Sequence, residues 1–300
     1  MAIGDVHEVE AVPDCYYVDT GMYDTAEYGA VYLLDADRPA IVDSGIGTNY
    51  ERVLDGLETV GIAPEDLEAI LLTHVHLDHA GGAGFIHDET GADVYVHEDG
   101  AAFLAHPDRI WEGTVAAVGD QITYYAEPKP VPVDAVEPIH DGATVDLGSV
   151  ELGVRHAPGH AFHQVLFDDR AADAVYTADA AGIYVPARDA VRETSPPPGF
   201  DLEQVVADAR MIARLAPETL CYPHFGAVPA DERISEYVGV ITDWVEAIAE
   251  QRRALGDDEA VVERVVEAAD IDEVWGEHKA DGEVAMNVRG VLTYLDDREA

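Results

Sequence analysis

The chain has 300 residues, 48% of them apolar, and carries 61 acidic against 17 basic side chains, a formal charge of -44. The apolar share supplies a sizeable core and excludes a disordered chain despite the charge, and the shortage of basic residues, with Lys129 and Lys279 the only lysines, excludes a basic face for nucleic acid. The acids are spread along the whole sequence rather than gathered in a tail, so they read as adaptation to a salt-rich cytosol, where a Debye length of about 3 Å at molar salt screens their repulsion.

Met1–Asp5 lacks the basic start and apolar core of a signal peptide. No stretch approaches the roughly 18 apolar residues of a membrane span, so the expectation is a cytoplasmic chain with no membrane partner. Cys15 and Cys221 stand far apart and imply no disulfide framework; both read as small buried residues. Strands are predicted at Ala30–Leu34 and Ala40–Val42, split by the turn-rich Asp35–Pro39. Tyr50–Val60 has helical spacing, with Val53, Leu54, Leu57 and Val60 on one face and Gly61 as its stop. The apolar run Ala69–Leu72 reads as a buried strand. Directly after it, Thr73-His74-Val75-His76-Leu77-Asp78-His79 packs three imidazoles and a carboxylate into six residues.

A helix is predicted to start at Ala83–His87, and a strand at Asp93–His97. Residues 99–135 are less regular, with helix over Asp99–Ala105, a helical reading of Trp111–Val118, and an extended, proline-rich Tyr124–Pro132. Three short apolar strands then each deliver one ligand-type residue into a turn with Gly or Pro nearby. Val150–Val154 leads to His160, Ala174-Val175 to Asp179, and Thr219-Leu220 to His224. The proline run Thr194–Phe200 is a loop, and Asp201 is set to cap a helix over Asp201–Leu215. From about residue 230 the chain reads as helical, over Ile234–Leu255, Asp258–Ala269 and Val284–Leu295, with no assignable motif. The alternation of strand and helix implies sheets covered by helices, an α/β fold.

Imidazoles and carboxylates at this spacing suit zinc, iron or manganese. With the pattern running from Asp43 in Ala40-Ile41-Val42-Asp43-Ser44-Gly45 to His224, the chain resembles the metallo-β-lactamase superfamily over roughly residues 15–230. The resemblance implies a four-layer αββα sandwich over residues 1–230 and a C-terminal helical extension over 231–300. It implies that the 99–135 insert walls the substrate pocket, with Trp111, Tyr124 and Tyr125 as candidates. It implies two divalent metal ions, zinc foremost with iron or manganese as alternatives. His74, His76 and His160 would hold one ion, Asp78, His79 and His224 the second, and Asp179 would bridge them. Asp43 and His163 would support the ligands from behind. Asp78 would also orient a hydroxide, and Tyr184, beyond the turn at Gly182, is expected to return over the site and hydrogen-bond the substrate.

A carboxylate at position 179 and the Pro158-Gly159-His160-Ala161-Phe162-His163 element are similar to the glyoxalase-II-type and lactonase-type hydrolases. Taken whole, the chain looks most like uncharacterised prokaryotic members, of haloarchaeal kind given its charge. The expected activity is metal-dependent hydrolysis of a small-molecule thioester, ester or lactone by a chain that acts alone or as a homodimer. The alternative is a mononuclear iron persulfide dioxygenase of the same fold, with His74, His160 and Asp179 as ligands. A third reading is a binding or regulatory protein that keeps the site for stability.

Overall fold

The computed structural model describes residues 1–299. Seven strands form the first sheet in simple chain order: β1 (Val6–Glu8), β2 (Cys15–Asp19), β3 (Ala30–Leu34), β4 (Ala40–Val42), β5 (Ala69–Leu71), β6 (Asp93–His97) and β7 (Val136–Ile139). The next strands are β8 (Thr144–Asp146), β9 (Glu151–His156), β10 (Val165–Asp169) and β11 (Ala174–Tyr176), followed by a ribbon of β12 (Ile183–Val185) and β13 (Ala190–Arg192). With β14 (Thr219–Tyr222) and β15 (Gly226–Pro229), they build a second sheet in the order β15-β14-β11-β10-β9-β8, the ribbon standing apart.

Side-chain alternation along each strand sends its two faces into different cores. Tyr32, Leu34, Ala40, Val42 and Leu71 meet Leu152, Val154, Val165, Phe167 and Tyr176 in the core between the sheets. Val31, Leu33, Ile41, Ile70 and Val94 face outward, under helices α1 (Tyr50–Thr59), α2 (Leu77–Ala80), α3 (Ala83–Thr90) and α4 (Ala101–Ala105), which add Val53, Leu57, Ala80, Ile86 and Leu104. Helix α5 (Asp108–Val118) and a short 3-10 turn, Gly119–Tyr124, follow. On the outer face of the second sheet, Leu166, Val175, Leu220 and Tyr222 pack in one cluster with α6 (Leu202–Leu215), α7 (Arg233–Leu255), α8 (Asp258–Val266), α9 (Asp272–Trp275) and α10 (Glu277–Glu299). The layers are therefore helix, sheet, sheet, helix, and the C-terminal helices share a core with α6 and the second sheet. No described helix is long and apolar enough to cross a membrane.

Most predicted elements lie where the periodicity puts them. Asp201 caps α6 by accepting from Glu203 N at 2.9 Å and Gln204 N at 3.1 Å. Strand β10 was not anticipated, because Asp168 and Asp169 end it, yet the whole strand is buried. Asp168 accepts from Arg155 Nη2 and Arg170 Nε, each at 3.0 Å, which satisfies the carboxylate. Both cysteines are free and buried, and burial pushes the Cys15 thiol up to about 12.

Register places the ligand-bearing turns together. Strands β4 and β5 are parallel with Val42 opposite Leu71, so Asp43 and Thr73 leave the sheet side by side. Strands β11 and β14 are parallel with Tyr176 opposite Cys221, which does the same for the turns holding Asp179 and His224. The β9–β10 turn carries His160, and Val165 N donates to Thr73 O at 2.8 Å across the two sheets. Gly82 lies against the Ser44 carbonyl so closely that any Cβ would overlap it, and this contact seats the histidine turn on the Asp43 turn.

Candidate metal centre

The first ligand turn is braced from beneath by Asp43 and Thr73. Thr73 N and Oγ1 both donate to Asp43 Oδ1 at 2.9 Å. The threonine hydroxyl has one proton, and Asp43 takes it. The His74 Nδ1 that lies 3.1 Å from Thr73 Oγ1 must therefore be the donor in that bond. His79 Nδ1 donates to Asp43 Oδ2 at 2.9 Å, and His224 Nδ1 donates to the Tyr28 carbonyl at 3.1 Å. All three imidazoles thus carry a proton on Nδ1 and turn Nε2 inward. His74 Nε2 and Asp179 Oδ1, which face the cluster, are buried without a hydrogen-bond partner. Orphaned buried lone pairs are costly, and a cation is the partner that would satisfy them.

The donor atoms fall into two subsites. In the first, His74, His76 and His160 converge. His76 Nδ1 lies 3.1 Å from His160 Nε2, which is 3.3 Å from Asp179 Oδ2. In the second, His79 Nε2 lies 3.3 Å from His224 Nε2, 3.5 Å from Asp78 Oδ2 and 3.4 Å from Asp179 Oδ1. His224 Nε2 is 3.6 Å from Asp78 Oδ2 and 3.8 Å from Asp179 Oδ1. Zinc held by imidazole and carboxylate at about 2.0–2.2 Å in a tetrahedron has donor–donor edges of about 3.4 Å, so the residues fit a divalent ion. Asp179 offers one oxygen to each subsite.

Electrostatics divides the subsites too. Burial and neighbouring imidazoles hold His74 and His160 well below the ordinary histidine range, and burial brings His76 down to about 4. These three are neutral at physiological pH. Burial also works against charge on His79, but Asp78, Asp179 and Asp43 outweigh it and raise that imidazole to about 10. Burial opposes ionisation of Asp78, yet His79 and His224 hold its carboxyl far below the usual range.

His163 lies outside the ligand groups. Its Nδ1 is 3.5 Å from Val75 N and its ring stacks 6.2 Å from His74, with Phe162 and Phe103 alongside. Tyr184 departs from expectation. Its backbone N donates to the His224 carbonyl, but its hydroxyl donates to Asp189 Oδ1 at 2.9 Å and its ring lies under the Arg233 guanidinium. The turn at Gly182 does return the chain to the site, as backbone. The alternation of β12 then turns the tyrosine side chain to Asp189 and Arg233.

Of the three proposed wall residues, Tyr125 is buried and its hydroxyl pairs with that of Tyr23; burial first, then the Asp78 charge, raises its phenol. Trp111 and Tyr124 pack against the cluster that includes the C-terminal helices. Two supporting residues escaped the sequence reading. Gln164 donates to Ala157 O at 3.0 Å and accepts from Asp179 N at 3.2 Å, tying the His160 turn to the Asp179 turn. Thr73 opens the histidine stretch with no role assigned from sequence, and its hydroxyl is what fixes the His74 tautomer.

Residues 24–224 match the family model described as the Metallo-beta-lactamase superfamily. The chain belongs to the metallo-beta-lactamase superfamily. An uncharacterized Mycobacterium tuberculosis protein is 32% identical over 165 residues, which is 49% of this chain and 66%, just under two thirds, of that relative. An acyl-coenzyme A thioesterase of Gallus gallus is 26% identical over 179 residues, 55% of this chain and 61% of the thioesterase. Among solved structures, an archaeal metallo-beta-lactamase superfamily protein from Sulfolobus tokodaii is similar in fold, with a TM-score of 0.71 and 20% identity over 95% of this chain and 98% of that one. A metallo-beta-lactamase family protein from Thermus thermophilus gives 0.64 and 22% over 91% and 89%. The superfamily binds divalent metals, typically zinc, and includes hydrolases.

Proposed function

We propose that this chain is a dinuclear metal-dependent hydrolase of a thioester, ester or lactone. The observation that carries the reading is the second subsite, where Asp78, His79, His224 and Asp179 bring side-chain N and O atoms to 3.3–3.8 Å from one another. The mononuclear dioxygenase alternative would leave that subsite without a task, which is why the two-ion reading is preferred. His74, His76 and His160 would hold one ion, Asp78, His79 and His224 the other, with Asp179 between. Bound there, two divalent ions, zinc foremost, supply a hydroxide at neutral pH and a Lewis acid for the electrophile's oxygen.

The protein's own part is positional. Asp43 and Thr73 hold His74 and His79 with Nε2 inward, and Gln164 keeps the His160 and Asp179 turns in register. Asp78 is ionised and one quarter exposed, so its carboxylate can orient a water by accepting a hydrogen bond from it. The likeness to an acyl-coenzyme A thioesterase adds weight to thioesters within this class. Elemental analysis of protein purified without chelator should give about two ions per chain. A panel of thioesters, esters and lactones in molar KCl should then yield turnover with at least one class. One ion or fewer, or iron with oxygen consumption on a persulfide, would reject the reading.

A further inference from the structure

Helix α10 brings a buried ion pair up to the second subsite. Lys279 Nζ donates to Glu283 Oε2 at 2.6 Å, and the two side chains are 5% and 4% exposed. No other lysine or arginine is buried among the described residues. The ammonium also lies 3.8 Å from the ring centre of Tyr23 and 4.1 Å from that of Tyr28, and it donates to Gln121 Oε1 at 3.4 Å. Gly282 makes room for this approach, because a Cβ there would overlap the Gln121 amide.

Glu283 passes the contact on. Its Oε2 accepts from the Tyr28 hydroxyl at 3.0 Å. Tyr28 touches His224 twice, through the carbonyl that accepts from Nδ1 at 3.1 Å and through its ring, 5.3 Å from the imidazole centre. A buried ion pair is poor evidence of stabilisation, because desolvation offsets most of the attraction and apolar residues of like volume often hold a fold as well. What the pair does here, and an apolar pair would not, is fix the phenol hydroxyl and ring of Tyr28 at one place.

We propose that Lys279 and Glu283 are positioning residues for the second metal subsite: they clamp Tyr28, whose carbonyl holds His224 with Nε2 turned toward Asp78 and His79. The inference rests on the two-ion reading and adds that the C-terminal helices complete the subsite. Two variants test it in the full-length chain. Lys279→Met with Glu283→Leu removes both charges together, and Tyr28→Phe removes only the hydroxyl that Glu283 holds.

Zinc affinity is read by chelator competition, and the ligand field by the visible spectrum after cobalt loading. Loss of an outer support costs a metal site about 10–100-fold in affinity. The expected result is a loss of that size for one of two ions in the double variant, a smaller loss in Tyr28→Phe, and an altered cobalt band for that ion alone. A merely structural role would leave the band and both affinities unchanged while lowering Tm, and that outcome overturns the proposal. Should the double variant fail to fold, unchanged second-ion affinity in Tyr28→Phe overturns it equally. A wild-type chain that binds only one zinc refutes the two-ion reading and this inference with it. Two ions in wild type with unaltered variants refute the inference alone.

Discussion

The two candidate metal subsites share one short motif, His74–His79, but differ in charge. The His74, His76 and His160 side has only neutral imidazoles apart from the shared Asp179, with His76 brought down to about 4 by burial. The Asp78, His79 and His224 side is surrounded by carboxylates that raise His79 to about 10. Burial acts on both in the same direction, so the neighbours decide the difference. The comparison teaches that one motif can make a subsite ready to accept a cation and another that holds a proton until a cation displaces it.

Removing the shared carboxylate should erase the comparison. Asp179→Ala takes one oxygen from each subsite, and is expected to weaken retention of both ions and cut turnover by orders of magnitude. Loss confined to one subsite, seen in metal content, would mean that Asp179 does not join them.

Acid should sharpen it. The proton on His79 must leave before Nε2 can bind metal, so second-subsite affinity should rise with pH up to about 10 and fall about tenfold per unit below it. Between pH 8 and pH 6 the second ion should lose about a hundredfold in affinity, while the first changes little because His76 stays neutral above about 4. Chelator titrations at the two pH values check this, and parallel loss at both subsites would contradict it.

A milder effect is expected from the first subsite's flank. His163 stacks on His74 and meets His76 edge-on without converging with them, so His163→Ala should cost about tenfold in turnover, the lower end for an outer support. If His163→Ala proves worse than Asp179→Ala, the roles have been assigned the wrong way round. The smallest effect belongs to Tyr184→Phe. Its hydroxyl serves Asp189 at the surface, so turnover should be unchanged and stability should move by no more than about 0.5 kcal/mol. A tenfold loss of turnover would return the phenol to the substrate.

The error at Tyr184 and the silence over Lys279 have one origin. Chain separation says when the backbone returns, and it does: Tyr184 N meets the His224 carbonyl. The direction of the side chain depends on pairing with β13, a partner that no local pattern around Tyr184 names. Lys279 sits in a helix with no motif, 158 residues from Gln121 and farther still along the chain from the tyrosines it covers. The spacing predicts the last helix only from Val284, so Lys279 and Glu283 fall outside it, whereas in the structure both lie on α10 one turn apart.

By itself the sequence determined the sandwich's rhythm and the ligand types, because apolar periodicity and turn residues act locally and six residues suffice to crowd three imidazoles beside a carboxylate. Tertiary structure alone decided which lone pairs face inward. The tautomers of His74, His79 and His224 follow from Thr73, Asp43 and Tyr28, which reach them only once strands β4 and β5 pair in register and the second sheet closes on the first. It also decided that the last helices lie against the site: burying an ammonium and a carboxylate requires each to find the other and the rings around them, and the folded chain brings those groups within a few ångströms.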